Sequence, residues 1–163
     1  MKLYSYVGPA AIKARAGINS GGCVIETLAT LESWLAAHRL AESITATFVI
    51  DSAGKLRLAD RRSEHVVCAG GMSVYAAGEM TFDIVGLAVV EVTNQSTGYC
   101  PEPESWPAVA AALDGIGVEH PGGYTTKLQF RRCPKCSETN IVKDNWFRCA
   151  VCGAALPDAW NLC

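Results

Sequence analysis

Two Cys-x-x-Cys pairs, Cys133-Pro134-Lys135-Cys136 and Cys149-Ala150-Val151-Cys152, stand twelve residues apart near the end of the 163-residue chain. They constrain the fold more than any other feature. Four thiolates at this spacing are the ligand set of a tetrahedral metal site, and the form is that of a zinc ribbon. Two thiolates at i and i+3 face one ion only if the backbone turns tightly between them. Pro134 presets the first turn, and Gly153 lets the chain leave the second through positive φ. Twelve residues suffice for a hairpin that returns the second pair to the first. The expected occupant is a structural Zn²⁺, because a closed shell of four cysteines leaves no position for substrate or water. Iron of the rubredoxin type shares this coordination. Zinc is preferred because the aromatic and glycine surroundings of such an iron site are missing.

The rest of the composition bounds the class. Half of the residues are hydrophobic, enough for a core, and the net charge of −2 speaks against a general nucleic-acid or anionic-membrane binder. No apolar run reaches the ~20 residues of a membrane span. Met1 to Pro9 contains no long apolar stretch, so no signal peptide is expected. With four of eight cysteines assigned to metal, Cys23, Cys68, Cys100 and Cys163 read as free thiols in a reducing cytosol.

Along the chain, Lys2 to Val7 reads as a short edge strand, Ala10 to Ala16 as a short helix or strand, and Asn19-Ser20-Gly21-Gly22 as a turn. Cys23 to Ile25 is a brief strand. Leu28, Leu31, Trp34 and Leu35 mark a helix capped by Thr27 or Thr30 and fading near Leu40, with His38 on its surface. Thr45 to Ile50 and Lys55 to Leu58 form a hairpin with Leu56 and Leu58 inward. A charged connector, residues 61–65, leads to a strand over Ser73 to Phe82 and a partner over Leu87 to Thr93. Ser105 is expected to cap a second helix with Pro107 in its first turn and Gly115 at its end. Tyr124 to Phe130 reads as a strand. Ile141-Val142 and Trp146 to Arg148 are short ribbon strands joined at Asp144-Asn145. The class is α+β: a mostly antiparallel sheet with two main helices and a C-terminal zinc ribbon. Residues 1–130 form the α+β domain, and residues 131–163 form the ribbon with a tail, Leu156 to Leu162, that docks back.

Glu64-His65, Gly70-Gly71, Val74 and Ala76-Ala77-Gly78-Glu79 are followed by Asn94, Ser96, Tyr99 and Pro101. This set resembles a His-Ser…Gly-x-x-Val-x-x-Ala-Gly-Glu…Ser-Gly-His-Tyr-x-Pro module of the plant IQ-motif calmodulin-binding family and of assorted bacterial proteins. The resemblance covers roughly residues 48–101. Ser96-Thr97-Gly98-Tyr99 lacks the module's second histidine. The sequence has no IQ helix, so calmodulin binding is not implied.

Read as residues, His65, Glu79, Asn94, Ser96, Tyr99 and Cys100 offer an imidazole, a carboxylate and a thiol at one end of the sheet. They are either a catalytic or ligand site, with His65, Glu79, Tyr99 and Cys100 as its candidates, or a fold-defining hydrogen-bond network. A zinc deaminase is excluded, because Glu64-His65 is not His-x-Glu and the second cysteine pair closes the metal shell. From Lys127 onward the chain carries +3, against −5 before it. Together with Trp146 and Phe147, that charge suits a phosphate backbone. It also suits cations that offset a Cys₄–Zn²⁺ centre of formal charge −2.

Three functions are therefore expected, in decreasing order of support. The first is a bacterial-type cytoplasmic module that recognises another protein, as an accessory or immunity component. The second is a transferase or hydrolase acting around His65. The third is a nucleic-acid-binding ribbon.

Overall fold

A computed structural model describes residues 1–17, 21–39 and 41–163. The turn expected at Asn19-Ser20 and the helix end expected at Leu40 lie outside these residues. The architecture is α+β. Its centre is an antiparallel five-stranded sheet in the order β1-β3-β2-β4-β5: β1 (Cys23–Ile25), β2 (Ser43–Asp51), β3 (Leu56–Asp60), β4 (Val74–Asp83) and β5 (Ala88–Val92). Two main helices, α2 (Leu28–His38) and α4 (Trp106–Ile116), accompany it. Single helical turns occur at α1 (Ala10–Lys13) and α3 (His65–Cys68), and β6 (Gln129–Arg132) pairs with β7 (Thr139–Val142) in the C-terminal ribbon.

The period of β2 and β4 explains the layering. Ala46, Phe48, Ile50, Met80 and Phe82 point to one face, where Leu31, Trp34 and Leu35 of α2 and Val109 and Leu113 of α4 join them in the main core. Val49 and Ala77 point to the opposite face. There Tyr4, Val66, Cys68 and Tyr99 form a second, smaller core. The sheet is thus covered on both faces, by long helices on one and by the N-terminal segment, α3 and the 96–101 loop on the other. The α2 start is as expected: Thr27 Oγ1 accepts the Thr30 N–H at 3.1 Å. The β2–β3 hairpin turns at Gly54, which has φ +77°, and Leu56 and Leu58 are buried.

Several expected elements take a different form. Only Tyr4 of the N-terminal segment pairs as a strand, bridging Val74, because Val7 turns away to bond the Gly98 carbonyl. The 61–65 connector ends in α3 rather than continuing as loop. Ser105 does not cap α4 with its hydroxyl. A 3₁₀ turn, Pro103–Ser105, precedes the helix, and the Ser105 hydroxyl donates to the Glu102 carbonyl at 2.6 Å and meets the Tyr124 hydroxyl at 2.7 Å. The helix also passes Gly115. Ile116 lies on the buried face with Leu113, which favours another turn, and Gly117 at φ +83° ends it.

Residues 124–128 are irregular. They pack along β5, where the Thr125 N–H bonds the Val92 carbonyl, and regular pairing begins only at Gln129. Trp146 to Arg148 makes isolated bridges, Lys143 with Trp146 and Arg148 with Ala155, in place of a strand. The Asp144-Asn145 turn has φ of +52° and +55°, the left-handed pair of a tight hairpin. Strand β6 runs across the 130/131 division and joins the ribbon to the body.

Candidate metal centre

The ribbon brings the four cysteines together. The Sγ atoms of Cys133, Cys136, Cys149 and Cys152 all lie within 4.8 Å of one another. Four thiolates bound to zinc at ~2.3 Å would stand about 3.8 Å apart, the edge of a tetrahedron. Cys133 Sγ to Cys152 Sγ and Cys136 Sγ to Cys149 Sγ are each 3.5 Å. All eight cysteines are free thiols.

The two halves of the site repeat one local construction. In the first, the Cys133 N–H donates to the Glu138 carbonyl at 2.8 Å, and the Ser137 N–H donates back to the Cys133 carbonyl at 2.9 Å. In the second, the Cys149 N–H donates to the Ala154 carbonyl at 2.8 Å, and the Gly153 N–H donates to the Cys149 carbonyl at 2.9 Å. The residue after the second cysteine must take positive φ in each. Gly153 does so at +74° and Ser137 at +66°. Glycine makes the second knuckle legible in the sequence. The first was hidden because a serine takes the same role at some conformational cost.

Backbone N–H groups aim at the sulfurs. Those of Cys152 and Val151 lower the Cys149 thiol to about 6, and the N–H of Cys136 lowers Cys133. Cys136 receives an N–H from Glu138, yet burial and its neighbouring thiols push it up to about 12. The backbone donors therefore favour thiolate at Cys133 and Cys149, which is the state a metal ion needs.

Asn140, a buried residue of β7, ties the knuckles together. Its Nδ2 donates to the Glu138 carbonyl at 3.0 Å and reaches Cys149 Sγ at 3.5 Å, while its Oδ1 accepts the Ala150 N–H at 2.9 Å. Sequence reasoning missed it. The available signal was a polar side chain inside a four-residue strand between two metal-ligand pairs. Arg131 does not address the sulfurs. Its guanidinium donates to the carbonyls of Phe130, Pro157 and Asp158 and lies over the Phe147 ring, so its charge fastens the tail. The tail docks: Leu162 is fully buried, and the Trp160 indole N–H donates to the Cys100 carbonyl at 2.8 Å.

The second candidate region separates into distinct contacts. His65 Nε2 donates to the Gly78 carbonyl at 2.9 Å, an assignment fixed by the acceptor, and burial lowers the imidazole pKa. Glu79 faces Arg61 at 3.5 Å. These two line a shallow cleft of about 280 Å³ with Thr47, Ser63, Gln95 and Thr97. Tyr99 and Cys100 are not part of it. The Tyr99 hydroxyl donates to the Met72 carbonyl at 2.6 Å inside the second core. Cys100 is fully buried at φ +47°, its thiol donates to the Thr97 carbonyl at 3.4 Å, and burial pushes it up to about 12.

Asn94 is fully buried and Ser96 holds its own loop, accepting the Tyr99 N–H. The imidazole and carboxylate therefore share one wall, while the phenol and thiol point elsewhere. Among the described residues, no helix is long and apolar enough to cross a membrane. No protein-family model, no curated protein and no solved structure matches the chain.

Proposed function

We propose that Cys133, Cys136, Cys149 and Cys152 hold one structural Zn²⁺, and that the protein works as a non-enzymatic interaction module that recognises another protein in a reducing, cytoplasmic setting. The observation that carries the reading is the four-thiol cluster itself. It consists of four cysteines and, among the described residues, includes no histidine or carboxylate. A thiolate shell of this kind suits zinc, whose binding energy becomes folding energy for a hairpin too small to build its own core.

Two further observations support the non-enzymatic half. Tyr99 and Cys100 are committed to internal hydrogen bonds away from His65, which removes the paired nucleophile and base of the transferase or hydrolase alternative. The nucleic-acid alternative loses Arg131, whose guanidinium is taken up by carbonyls of the chain.

The test is elemental analysis of protein purified without added metal, together with affinity capture from its native cell. One zinc per chain and a discrete protein partner are expected. A metal-free folded chain, or a disulfide between the pairs, would overturn the metal half. Turnover of a small substrate that is lost on His65 substitution would overturn the interaction half.

A further inference from the structure

The ribbon's two edges are treated very differently. On β6, the side chain of Asn161 bonds the Arg132 N–H and carbonyl at 2.8 Å each. The side chain of Asn94 does the same for Leu128, at 2.7 and 2.8 Å. Residues 128 and 132 thus point their backbone groups away from β7, and two asparagine amides stand where a further strand would lie. The alternation of an antiparallel ladder then fixes the other edge. Arg131 with Asn140 is a hydrogen-bonded pair, and the Cys133 N–H to Glu138 carbonyl bond continues the same parity. Thr139 and Ile141 must therefore turn their N–H and carbonyl groups outward from β7. Among the described residues, no hydrogen bond occupies those four groups.

This open edge borders the largest concavity described on the molecule, a groove of about 540 Å³ lined by Phe130, Thr139, Ile141, Val151, Glu138 and Lys143, among others. Val151 is 69% exposed. Glu138 and Lys143 stand at opposite ends of β7, and neither has an ion-pair partner among the described residues. An edge left unpaired beside a groove of mixed lining that offers Ile141 and Val151 as apolar contacts, between opposite charges, has the features by which one protein adds a strand from another.

We propose that the β7 edge binds an extended peptide segment of a partner protein as an added antiparallel strand. The Thr139 and Ile141 backbone groups form the ladder, and alternate apolar side chains of the peptide rest on Ile141 and Val151. Lys143 receives a carboxylate near the peptide's N-terminal end, and Glu138 receives a basic residue near its C-terminal end. The span from Glu138 to Lys143 fits a peptide of five to six residues at ~3.4 Å each. The inference deepens the interaction reading above and rests on it.

The test uses the full, metal-loaded chain and a fluorescent heptapeptide of alternating threonine and valine, with aspartate at its N-terminal and lysine at its C-terminal end. Saturable binding by anisotropy is expected. N-methylation of the peptide amides that face Thr139 and Ile141 should abolish it. Lys143→Glu should weaken it about tenfold, and a peptide with its two end charges exchanged should bind more weakly than the original. Thr139→Pro removes one edge N–H without touching the β6 ladder, and should also abolish binding while zinc content and melting temperature stay near wild type. If Thr139→Pro misfolds, the peptide N-methylation series decides on the unaltered protein. Absent binding, or binding indifferent to N-methylation, would overturn the proposal. Zinc content and partner capture are measured separately, so this inference can fail while the interaction reading stands.

Discussion

The side chain of Asn94 is hydrogen-bonded to the backbone of Leu128 in both directions, donating to its carbonyl at 2.8 Å and accepting its N–H at 2.7 Å. The same Nδ2 also donates to the Pro101 carbonyl at 2.8 Å. One fully buried amide thereby joins the end of the central sheet, the 96–101 loop and the segment that leads into β6 of the ribbon. Asn94→Ala leaves those three backbone groups without partners around a fully buried position. The expected cost is about 3 kcal/mol, read from urea unfolding. Asn94→Asp should cost at least as much, since a carboxylate cannot donate to either carbonyl.

Thiol counting tests the metal centre and the burial pattern together. Cys23 and Cys163 are exposed, whereas Cys68 and Cys100 are buried and pushed up to about 12. In the native protein at pH 8 an aromatic disulfide reagent should titrate two thiols rapidly. A strong chelator should release four more, and denaturant the last two. Six fast thiols before chelation would mean that the ribbon cysteines hold no metal.

Removal of the metal should lower the melting temperature by more than 10 °C, with the change concentrated after residue 129. Hydrogen exchange should show protection lost over β6 and β7 and largely kept in β2 and β4. Asn140→Ala should reproduce part of this, lowering zinc affinity by ~10–100-fold as the loss of a group that orients metal ligands typically does. Competition with a chromophoric chelator reads that change.

Two glycines separate steric from conformational demand. A Cβ at Gly78 would run into the Thr93 carbonyl oxygen, where β5 leaves the sheet, while at Gly54 it would meet nothing within 4 Å although φ is +77°. Gly78→Ala should cost ~3 kcal/mol or more, because backbone must move on both sides. Gly54→Ala should cost about 1 kcal/mol, the ordinary penalty of a left-handed alanine. Denaturation midpoints of the two variants compare directly.

His65 gives the protein an acid limit with a defined sign. Burial lowers its pKa in the folded state below the ordinary 6.5, so the native ring is neutral and donates to the Gly78 carbonyl. The unfolded chain takes up the proton first as pH falls. Stability from this group is present above pH 6.5 and is lost as pH drops through the folded value. His65→Gln keeps a donor but cannot titrate. The difference in urea midpoint between pH 7.5 and pH 5 should be smaller for it than for wild type, with proton-driven metal loss common to both.

The sequence alone determined the features that depend on short-range patterning. The Cys-x-x-Cys spacing fixed two tight turns, β-branched and apolar runs between turn residues marked β2, β3, β4 and β5, and the Thr27 or Thr30 hydroxyl marked the start of α2. Each rests on geometry within a few residues, which is why residue type suffices to specify it. Tertiary structure decided where polar groups found partners. Ser105 reads as a cap, but Tyr124 lies across from it. Gly115 reads as a helix end, but Ile116 has a core to enter. His65, Glu79, Tyr99 and Cys100 form one cluster on paper, yet the path of the 93–101 loop turns the phenol and the thiol away from the imidazole.

The knuckle at Ser137, the backbone partners of the asparagines at 94, 140 and 161, and the open edge of β7 were beyond reach for the same reason. Each depends on which backbone groups remain unsatisfied once distant segments have packed. That is a property of the whole chain, because a buried amide or carbonyl takes whatever partner the fold brings within ~3 Å.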